Sequence, residues 1–348
     1  MLESVALTNF RNYSDKTIQL TEPTTIITGK NAIGKTNILE SIFVGLFTKS
    51  FRAHDSQLIQ NSKEYFRIEL KFPKNTLAYH YTVQPKPKKT IKHNTKLTTL
   101  RQSIGTFPVV LFEPNSILLF SLSPSLRRKY LDTLLYQLDK KYVEHSIVYK
   151  RTLRQRNALL KRNKQSGKYM PADEQIYIYN IQLATSGAYI TKRRGEFIAQ
   201  ITPLIQDFYN TISSGKKNIQ TEFIYSNVSE EDLLNKIQNN WSVDSSVGLT
   251  LIGPHREDFV VLFNNEPVKN YASRGEIRSL LLAFKFAELT LFKDSKEPPI
   301  LLLDDVFSEL DEQRQKLLIK NTSSYQTIIT STDIPRNVIK EFQHIELV

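Results

Sequence analysis

The amino-acid sequence predicts an α/β fold that is interrupted by a helical insertion. Three observations support this fold class. A short buried strand, a glycine-containing loop and a helix follow one another over residues 24–47, and a second apolar strand at residues 299–305 ends in two aspartates. Between them, residues 115–245 show helical periodicity. Buried strands joined to amphipathic helices are typical of α/β proteins, and the long helical insertion predicts a separate lobe.

Length and composition exclude several classes of protein. The 348 residues are 40% hydrophobic and 24% charged, and they include no cysteine, which excludes disulfides and thiolate metal sites. No apolar run reaches the roughly 18 residues that a membrane span needs, and the first residues alternate as a strand does, so we expect a soluble cytoplasmic protein without a signal peptide. The net charge of +12 indicates a polyanionic partner, and we favour nucleic acid over an anionic membrane surface.

The first 114 residues predict a β-rich segment packed around one helix. Apolar and polar residues alternate as in half-buried strands, and two shorter runs are typical of buried strands. The alternating segments are 2–10, 16–20, 66–72 and 77–83, and the buried runs are 24–28 and 108–112. Residues 37–47 predict a helix, because its apolar side chains share one face: Ile38, Leu39, Ile42, Phe43 and Leu46.

Residues 29–36 connect the strand at 24–28 to this helix and fit the pattern G-x-x-x-x-G-K-[ST]. Glycines let backbone N–H groups approach phosphate oxygens, and the positive end of the helix dipole adds to the attraction. We therefore expect Lys35 to reach the β- and γ-phosphates of ATP and the Thr36 hydroxyl to bind Mg²⁺. The predicted ATP-binding residues are Gly29, Lys30, Asn31, Ala32, Ile33, Gly34, Lys35, Thr36 and Asn37.

Residues 115–245 predict a helical arm with many basic side chains. Ser123 is the expected N-cap of a helix that starts with Pro124. Long helices at 140–163 and 172–212, joined by a polar turn at 163–168, predict a protruding helical hairpin. Candidates for nucleic-acid contact, each with a solvated helix face as the alternative, are Lys150, Arg151, Arg154, Arg156, Lys161, Arg162, Lys192, Arg193, Arg194 and the basic turn at 86–92.

After the arm, the sequence returns to strand patterns. The predicted elements are strands at 247–252, 259–263, 299–305 and 326–330, a hairpin turn at 264–265 and a helix after residues 273–276. The predicted head is therefore discontinuous: residues 1–114 and 246–348 form one lobe, and residues 115–245 form the other.

Two carboxylates, Asp304 and Asp305, end the apolar strand and suit a nucleotide site. Asp304 is expected to hold Mg²⁺ through water opposite Thr36, and Asp305 to polarise the attacking water. A buried strand often ends in aspartate, so this pattern gains weight only beside the loop at 29–36. The predicted catalytic residues are Asp305, Lys35 and Asp304, and the predicted Mg²⁺ ligands are Thr36 and Asp304.

Segments along the whole chain resemble the ABC-type, SMC-like ATPases of chromosome maintenance and repair, and most closely the RecF family. The matching segments are residues 7–13, 34–40, 127–132, 155–160, 253–256 and 302–311. Ser273, Arg274, Gly275 and Glu276 occupy the position of the signature motif of these ATPases. Ser308 and Asp311 occupy the position of the D-loop.

This resemblance implies an ABC-type P-loop ATPase head with a mixed β-sheet and an inserted arm. Two chains would form an ATP-dependent homodimer in which the signature of one completes the phosphate loop of the other. The family binds duplex DNA and junctions with single-stranded DNA beside gaps, without sequence preference. With RecR and RecO it helps to load the recombinase, and its slow, DNA-stimulated ATP hydrolysis acts as a switch.

The chain departs from the family pattern at several positions. Glu276 stands where the family usually has glutamine, and a carboxylate there is expected to weaken the coupling of the signature to the rest of the site. Residues 257–258 are Glu-Asp instead of Asp-Asp. Residues 113–115 contain no glutamine and residues 326–333 no histidine, so Thr330 or Thr332 is expected to serve as the switch residue.

Two basic pairs keep open roles at this point. His255 and Arg256 are either DNA contacts or part of a structural turn, and Arg127 and Arg128 are expected to anchor the start of the arm.

Other protein classes fit the sequence less well. A transporter ATPase subunit would be expected to have the glutamine and the histidine that are missing. A small-molecule P-loop kinase would need no signature serine and no dimer. The insertion is too short for the rod of a coiled-coil chromosome protein, and another SMC-like repair or defence ATPase with the same head stays an alternative.

Overall fold

The structure, a computed structural model, describes residues 1–121, 123–166, 174–213, 217–224, 229–334 and 341–348. The chain folds into two compact units. One comprises Met1–Ile117, Thr211–Ser213 and Arg278–Val348, and the other Leu118–Asn210 and Ser214–Ile277. Residues 246–277 thus belong to the second unit, whereas the sequence assigns them to the head. The functional division into a head lobe and an arm lobe stays a prediction.

The first unit contains an antiparallel sheet of six strands, with the order β2-β1-β4-β5-β6-β7. Its strands are β1 (Ser4–Phe10), β2 (Tyr13–Gln19), β4 (Tyr65–Lys71), β5 (Thr76–Thr82), β6 (Lys88–His93) and β7 (Lys96–Thr98). Buried residues alternate with exposed residues along most of β4 and with half-buried residues along β5, so one face of the sheet is packed more closely than the other.

The first unit also contains a parallel sheet of five strands, with the order β14-β3-β13-β12-β8. Its strands are β3 (Thr24–Gly29), β8 (Val109–Phe112), β12 (Ile300–Asp304), β13 (Thr327–Thr330) and β14 (Gln343–Leu347). Because the strands are parallel, their carboxyl ends share one edge of the sheet. Asp304 lies opposite Thr330 in the register, and the loop after Gly29 starts at the same edge.

Helix α1 (Lys35–Phe47) packs against strands of both sheets. All its residues from Ile38 onward are buried, as expected of a helix between two layers. A Cβ atom at Gly45 would lie 2.6 Å from Leu70 Cδ1, so the close approach of α1 to β4 requires glycine there. The first unit also contains the short helix α2 (Leu100–Ser103) and helix α11 (Glu312–Thr322).

The second unit is mainly helical and carries a small antiparallel sheet, with the order β11-β10-β9. The strands are β9 (Ile219–Ile224), β10 (Asp258–Phe263) and β11 (Glu266–Pro267). The helices are α3 (Leu118–Ser121), α4 (Pro124–Leu138), α5 (Lys140–Ser166), α6 (Glu174–Ile212), α7 (Glu230–Asn239), α8 (Trp241–Val247) and α9 (Val268–Tyr271). Helix α10 (Arg274–Leu291) starts within this unit. Residues 167 and 168 of the predicted polar turn lie outside the described residues.

The predicted strand at 247–252 is wrong. Helix α8 occupies the chain up to Val247, and Gly248 ends it in the left-handed conformation with φ 80°. Beyond it, side chains rather than a neighbouring strand accept the backbone N–H groups. Asn157 Oδ1 accepts from Thr250 N at 2.8 Å, and Asp244 Oδ1 accepts from Leu251 N at 3.1 Å.

Candidate functional site

The loop at residues 29–36 exposes backbone where a phosphate would bind. Gly29 and Gly34 have φ angles of +149° and +116°, which side chains rarely allow. A Cβ atom at Gly34 would lie 2.6 Å from both Asn12 Nδ2 and Tyr13 Oη. Helix α1 begins directly after Gly34, with no side-chain cap and no acidic residue in its first turn. Its first N–H groups are therefore available to an anion.

Lys35 lies over this loop with its ammonium group nearly buried. Its Nζ donates to the carbonyl oxygens of Gly29, at 2.5 Å, and Lys30, at 3.0 Å. The side chain is only 8% exposed. Phosphate oxygens are better partners for an ammonium than neutral carbonyls, so this cation is positioned to exchange them for a nucleotide.

Thr36 and Asp304 are joined, although they lie far apart in the sequence. Thr36 Oγ1 donates to Asp304 Oδ1 at 2.8 Å, and Thr330 Oγ1 donates to the same oxygen at 2.8 Å. Hydroxyl and carboxylate oxygens fit Mg²⁺, which keeps several waters and phosphate ligands. Among the described residues no group of three or more acidic or histidine side chains forms a metal site by itself. Mg²⁺ at Thr36 and Asp304 would thus depend on the nucleotide phosphates.

Asp305 follows in a conformation unusual for a non-glycine residue, with φ 49°. Its backbone N–H donates to the Thr330 carbonyl and is also 3.1 Å from Thr330 Oγ1. Its Oδ1 is buried, and within the described residues it has no hydrogen-bond partner. Burial, and secondly the charge of Asp304, raises the pKa of the Asp305 carboxyl. A buried acceptor without a partner next to Asp304 suits the binding of a water molecule.

The signature segment forms the start of α10. Ser273 N and Oγ donate to Glu276 Oε2 at 2.8 and 2.9 Å, and Lys217 Nζ lies 3.3 Å from Glu276 Oε1. These contacts, led by the backbone hydrogen bond from Ser273, lower the pKa of Glu276. Ser273 and Arg274 are exposed, and Gly275 is half-buried. Glu276 therefore helps to cap α10 and is itself paired with a cation.

The residues predicted for the D-loop and the switch differ in environment. Ser308 is exposed and donates to the Asp305 carbonyl at 2.7 Å. Asp311 caps α11 by accepting from Arg314 N at 2.9 Å. Thr330 is buried and bonded to Asp304, whereas Thr332 is exposed. Of the two threonines, Thr330 is the one in contact with the predicted Mg²⁺ ligand.

Two of the predicted DNA contacts must be corrected. Arg156 is fully buried, and its Nη1 donates to Asp244 Oδ2 and Thr250 Oγ1 at 2.7 Å. Arg194 is 4% exposed and forms ion pairs with Asp132 at 2.8 Å and Glu257 at 3.1 Å. Neither guanidinium can reach a DNA phosphate from the interior. Helical spacing alone did not show that their carboxylate partners lie elsewhere in the chain.

The other basic candidates on the arm are exposed, except Arg193, which is half-buried, and some of them are paired. Lys150 lies 2.9 Å from Asp132, and Arg193 forms ion pairs with Asp139 and Glu196. The remaining exposed side chains on α5 and α6 are Arg151, Arg154, Lys161, Arg162 and Lys192. Their contact with DNA stays a prediction.

Arg156 gives a direct test of this correction. Replacement with Met should destabilise the second unit by about 3–5 kcal/mol, because it leaves Asp244 buried without its cation. Trp241, the single tryptophan, lies against Arg156, so urea unfolding followed by its fluorescence reports on this region. Arg154→Met on the same helix is the control, with an expected change within about 0.5 kcal/mol. Equal midpoints for the two variants would contradict the structural role.

The sequence reasoning did not assign a role to Asn12 and Tyr13, which support the phosphate loop. Asn12 Nδ2 donates to Ile33 O at 3.0 Å, and Tyr13 Oη donates to Gly34 O at 3.2 Å. Asn37 Nδ2 in turn donates to Asn12 Oδ1 at 2.7 Å. The only sequence indication was that these residues belong to a segment, 7–13, that resembles the family.

A buried carboxylate, Glu40, lies behind the same loop. It forms ion pairs with Arg11 and Arg52, both at 2.9 Å, and accepts from Ser50 Oγ at 2.6 Å. Although burial opposes ionisation, these partners lower the pKa of Glu40. The cluster therefore holds α1 in place with a charged carboxylate in its core.

This fold and this site define the chain as an ABC-type ATPase head with a helical insertion. Its residues 1–344 match the family described as "RecF/RecN/SMC N terminal domain". The chain belongs to the RecF family of DNA replication and repair proteins. No helix among the described residues is both long and apolar enough to span a bilayer.

Relatives and solved structures agree with this assignment. The DNA replication and repair protein RecF of Clostridium botulinum (strain Eklund 17B / Type B) is 37% identical over 342 residues, which cover 96% of this chain and 93% of the relative. A solved structure of the recombination mediator protein RecF with ATP is 32% identical and has a TM-score of 0.88, covering 97% of this chain and 93% of that chain. An Smc head domain from Pyrococcus furiosus is 17% identical over 95% of this chain and 89% of its own, with a TM-score of 0.50, and shows the fold alone.

Proposed function

We propose that this protein is an ATP-dependent DNA-binding switch of recombinational repair. The observation that carries the proposal is the pairing of Thr36 with Asp304 at 2.8 Å, beside a buried Asp305 oxygen that has no partner among the described residues. This arrangement supports ATP hydrolysis with Mg²⁺ at the end of the phosphate loop. The similarity to a solved structure of RecF with ATP in the RecFOR pathway supports the same interpretation of the site.

ATP hydrolysis at this site would use groups from the phosphate loop, from the start of α1 and from the carboxyl ends of β12 and β13. Lys35 and the first N–H groups of α1 bind and orient the β- and γ-phosphates. Thr36 and Asp304 would hold Mg²⁺, which supplies neutralisation of phosphate charge. Asp305 accepts a hydrogen bond from the water molecule and orients it for attack on the γ-phosphorus. Thr330 fixes the carboxylate of Asp304 and the backbone of Asp305 in one arrangement.

The complete site would require a second chain. Ser273 is exposed at the start of α10, so its hydroxyl and the adjacent N–H groups can approach the γ-phosphate of ATP bound to another chain. Two such contacts would close a symmetric dimer over two ATP molecules, and slow hydrolysis would release it. Glu276 adds negative charge next to this γ-phosphate and is expected to weaken closure relative to glutamine.

DNA would bind to the closed dimer through its phosphates. The net charge of +12 and the exposed arm residues Arg151 and Arg154 support contact that depends on salt and not on base sequence. By family resemblance, we propose binding to duplex DNA beside single-stranded gaps, stimulation of the weak ATPase by DNA, and action with RecR and RecO in loading the recombinase. Such a role places the protein in the cytoplasm.

The test is DNA binding in defined nucleotide states. Fluorescence anisotropy with gapped, duplex and single-stranded DNA should show the tightest binding to gapped DNA with ATP, and weaker binding with ADP or without nucleotide. The physical reason is that only ATP stabilises the closed dimer, which presents two sets of cations to the DNA. Equal affinities in all three nucleotide states would refute nucleotide gating.

A further inference from the structure

The turn at residues 253–257 of the second unit is held rigidly by buried side chains. A Cβ atom at Gly253, whose φ is +130°, would lie 2.3 Å from Tyr149 Oη, so only glycine fits there. The Tyr149 hydroxyl donates to His255 Nδ1 at 2.7 Å, and His255 Nε2 donates to the Thr250 carbonyl at 2.8 Å. Both ring nitrogens are thus occupied by the fold. Burial lowers the pKa of His255 to about 4, so the ring carries no charge at pH 7.

The residues on either side of Arg256 are fixed in the same way. Arg194 Nη1 donates to the Pro254 carbonyl at 2.7 Å and lies 3.1 Å from Glu257 Oε2. Thr191 also donates to the Glu257 carboxylate. Arg256 itself is exposed, and among the described residues its guanidinium has no hydrogen-bond or ion-pair partner. The buried contacts therefore fix the orientation of the turn. The Arg256 guanidinium points away from these contacts and forms no bond within the described residues.

A second arginine lies beside this turn. Arg128 Nη1 donates to the Glu257 carbonyl at 2.7 Å, which places its half-buried guanidinium next to the residue that follows Arg256. The other N–H donors of Arg128 have no acceptor among the described residues. Burial and then the charge of Arg194 lower the pKa of Arg128, the carboxylates of Asp258 and Asp132 oppose this shift, and Arg256 adds a smaller lowering effect. The hydrogen bond to Glu257 thus places Arg128 near Arg256, and the two positive charges repel each other.

The charges of the surrounding cluster do not cancel. Ion pairs join Arg127 to Asp258, and Lys150 and Arg194 to Asp132 and Glu257. These three cations and three carboxylates compensate one another, so Arg128 and Arg256 leave an excess of two positive charges. Like charges held near each other repel, and an anion bound between them would relieve that repulsion.

We propose that Arg128 and Arg256 form a binding site for one phosphate group of the DNA backbone. Guanidinium groups match the geometry of a phosphodiester and bind it through paired N–H donors. The proposal rests on the DNA binding proposed above. It adds two contact residues that the spacing of basic residues along the arm helices did not indicate. From the sequence, Arg256 could be either a DNA contact or part of a structural turn. In the structure His255 stabilises the turn, whereas the Arg256 side chain is exposed and can bind a ligand.

DNA fits this site better than an acidic protein segment does. Tyr149, which bonds to His255, lies on α5 just before the exposed cations Arg151 and Arg154. The excess charge is therefore continued along the same helix, as a polyanion with regularly spaced phosphates requires. A short acidic peptide would need only the local pair.

The test compares Arg256→Gln with Arg67→Gln in the full-length protein with ATP. Arg67 is also exposed and forms an ion pair with Glu69. Its replacement changes the net charge by the same amount as that of Arg256, so Arg67→Gln controls for general electrostatics. Binding of labelled gapped duplex DNA is measured by anisotropy between about 50 and 200 mM salt. Arg256→Gln should bind about tenfold more weakly, with a log K against log salt slope shallower by about 0.9, the value of one phosphate contact. Its melting temperature should match that of the wild type, because the side chain is exposed.

The double variant Arg128→Gln/Arg256→Gln tests whether both residues hold the same phosphate. Its loss of affinity should be smaller than the product of the two single losses, because the second arginine has little left to bind. An Arg256→Gln variant with the affinity and salt slope of Arg67→Gln would overturn the site while DNA binding by the wild type stands. Unchanged DNA binding together with lost binding of a poly-glutamate probe would overturn it in favour of an acidic protein partner. A wild type that binds no DNA would overturn both this site and the proposed function.

Discussion

Lys35→Ala is expected to weaken ATP binding by about a hundredfold and to abolish ATP-dependent dimerisation. The Lys35 ammonium is nearly buried and held by two loop carbonyls, so it is already placed for the phosphates. Loss of two charge-assisted hydrogen bonds accounts for this magnitude. Titration with a fluorescent ATP analogue measures binding, and sedimentation velocity with and without ATP measures assembly. Lys71→Ala, an exposed lysine on β4, is the control and should behave as the wild type.

A mixing experiment shows whether the loop is completed by a second chain. Ser273→Arg should bind ATP normally as a monomer but fail to close the dimer, because the new side chain blocks the exposed start of α10. An equimolar mixture of Lys35→Ala and Ser273→Arg chains can form one intact site, from the loop of one and the signature of the other. Such a mixture should recover part of the ATPase activity that each variant lacks. No recovery, or wild-type assembly without ATP, would contradict a shared site.

Asp305→Asn is expected to keep ATP binding, to slow hydrolysis by roughly a hundredfold or more, and to hold the dimer closed. The carboxamide fills the same space but accepts a proton far less readily than the carboxylate does. Single-turnover hydrolysis with radiolabelled ATP separates this effect from binding. Hydrolysis at the wild-type rate would exclude Asp305 as the residue that orients the water.

The raised pKa of Asp305 gives this prediction a pH dependence. Only the carboxylate can orient the water as a base, so kcat/KM should fall as the pH decreases through a pKa above the ordinary value of aspartate. The same shift opposes stability. Because ionisation is less favourable in the folded protein, the cost is absent below the pKa of the unfolded chain and complete above that of the folded one. Asp305→Asn should therefore raise the melting temperature at neutral pH, and the gain should vanish in acid.

The sequence predicted the parts of the fold whose determinants are local. The buried runs that became β3, β12 and β13 and the apolar face of α1 are short patterns, and the α/β fold they indicated is confirmed. The ABC-type head that the family resemblance implied is confirmed as well. Strands β9 and β14 were missed, because they are defined by pairing with strands distant in the chain and not by a buried apolar run. Residues 247–252 were predicted as a strand because apolar residues dominate them, but Asn157 and Asp244 take up the backbone groups that a sheet would need.

The same distinction applies to the site residues. A phosphate loop can be predicted from its own eight residues. Whether an arginine is buried or exposed depends instead on which carboxylates the fold places next to it. Arg156 meets Asp244 and Arg194 meets Glu257, so both are buried. Arg256 meets none among the described residues and is exposed. Charge counts along a helix cannot separate these outcomes, since they are decided by tertiary contacts.

The pairing of β3 with β13 and β14 constrains when the nucleotide loop can fold during synthesis of the protein. Residues 24–29 form a parallel ladder with residues 327–330 and 343–347, and the Leu347 carbonyl would lie only 2.7 Å from a Cβ atom at Gly29. On the ribosome, the nucleotide loop therefore emerges long before the strands β13 and β14 that flank β3. The arm is synthesised between β3 and these strands and can fold before the nucleotide loop acquires its neighbours. A chain truncated before β13 and β14 contains every residue of the phosphate loop but lacks the strands that pair with β3 and fix the conformation of the loop.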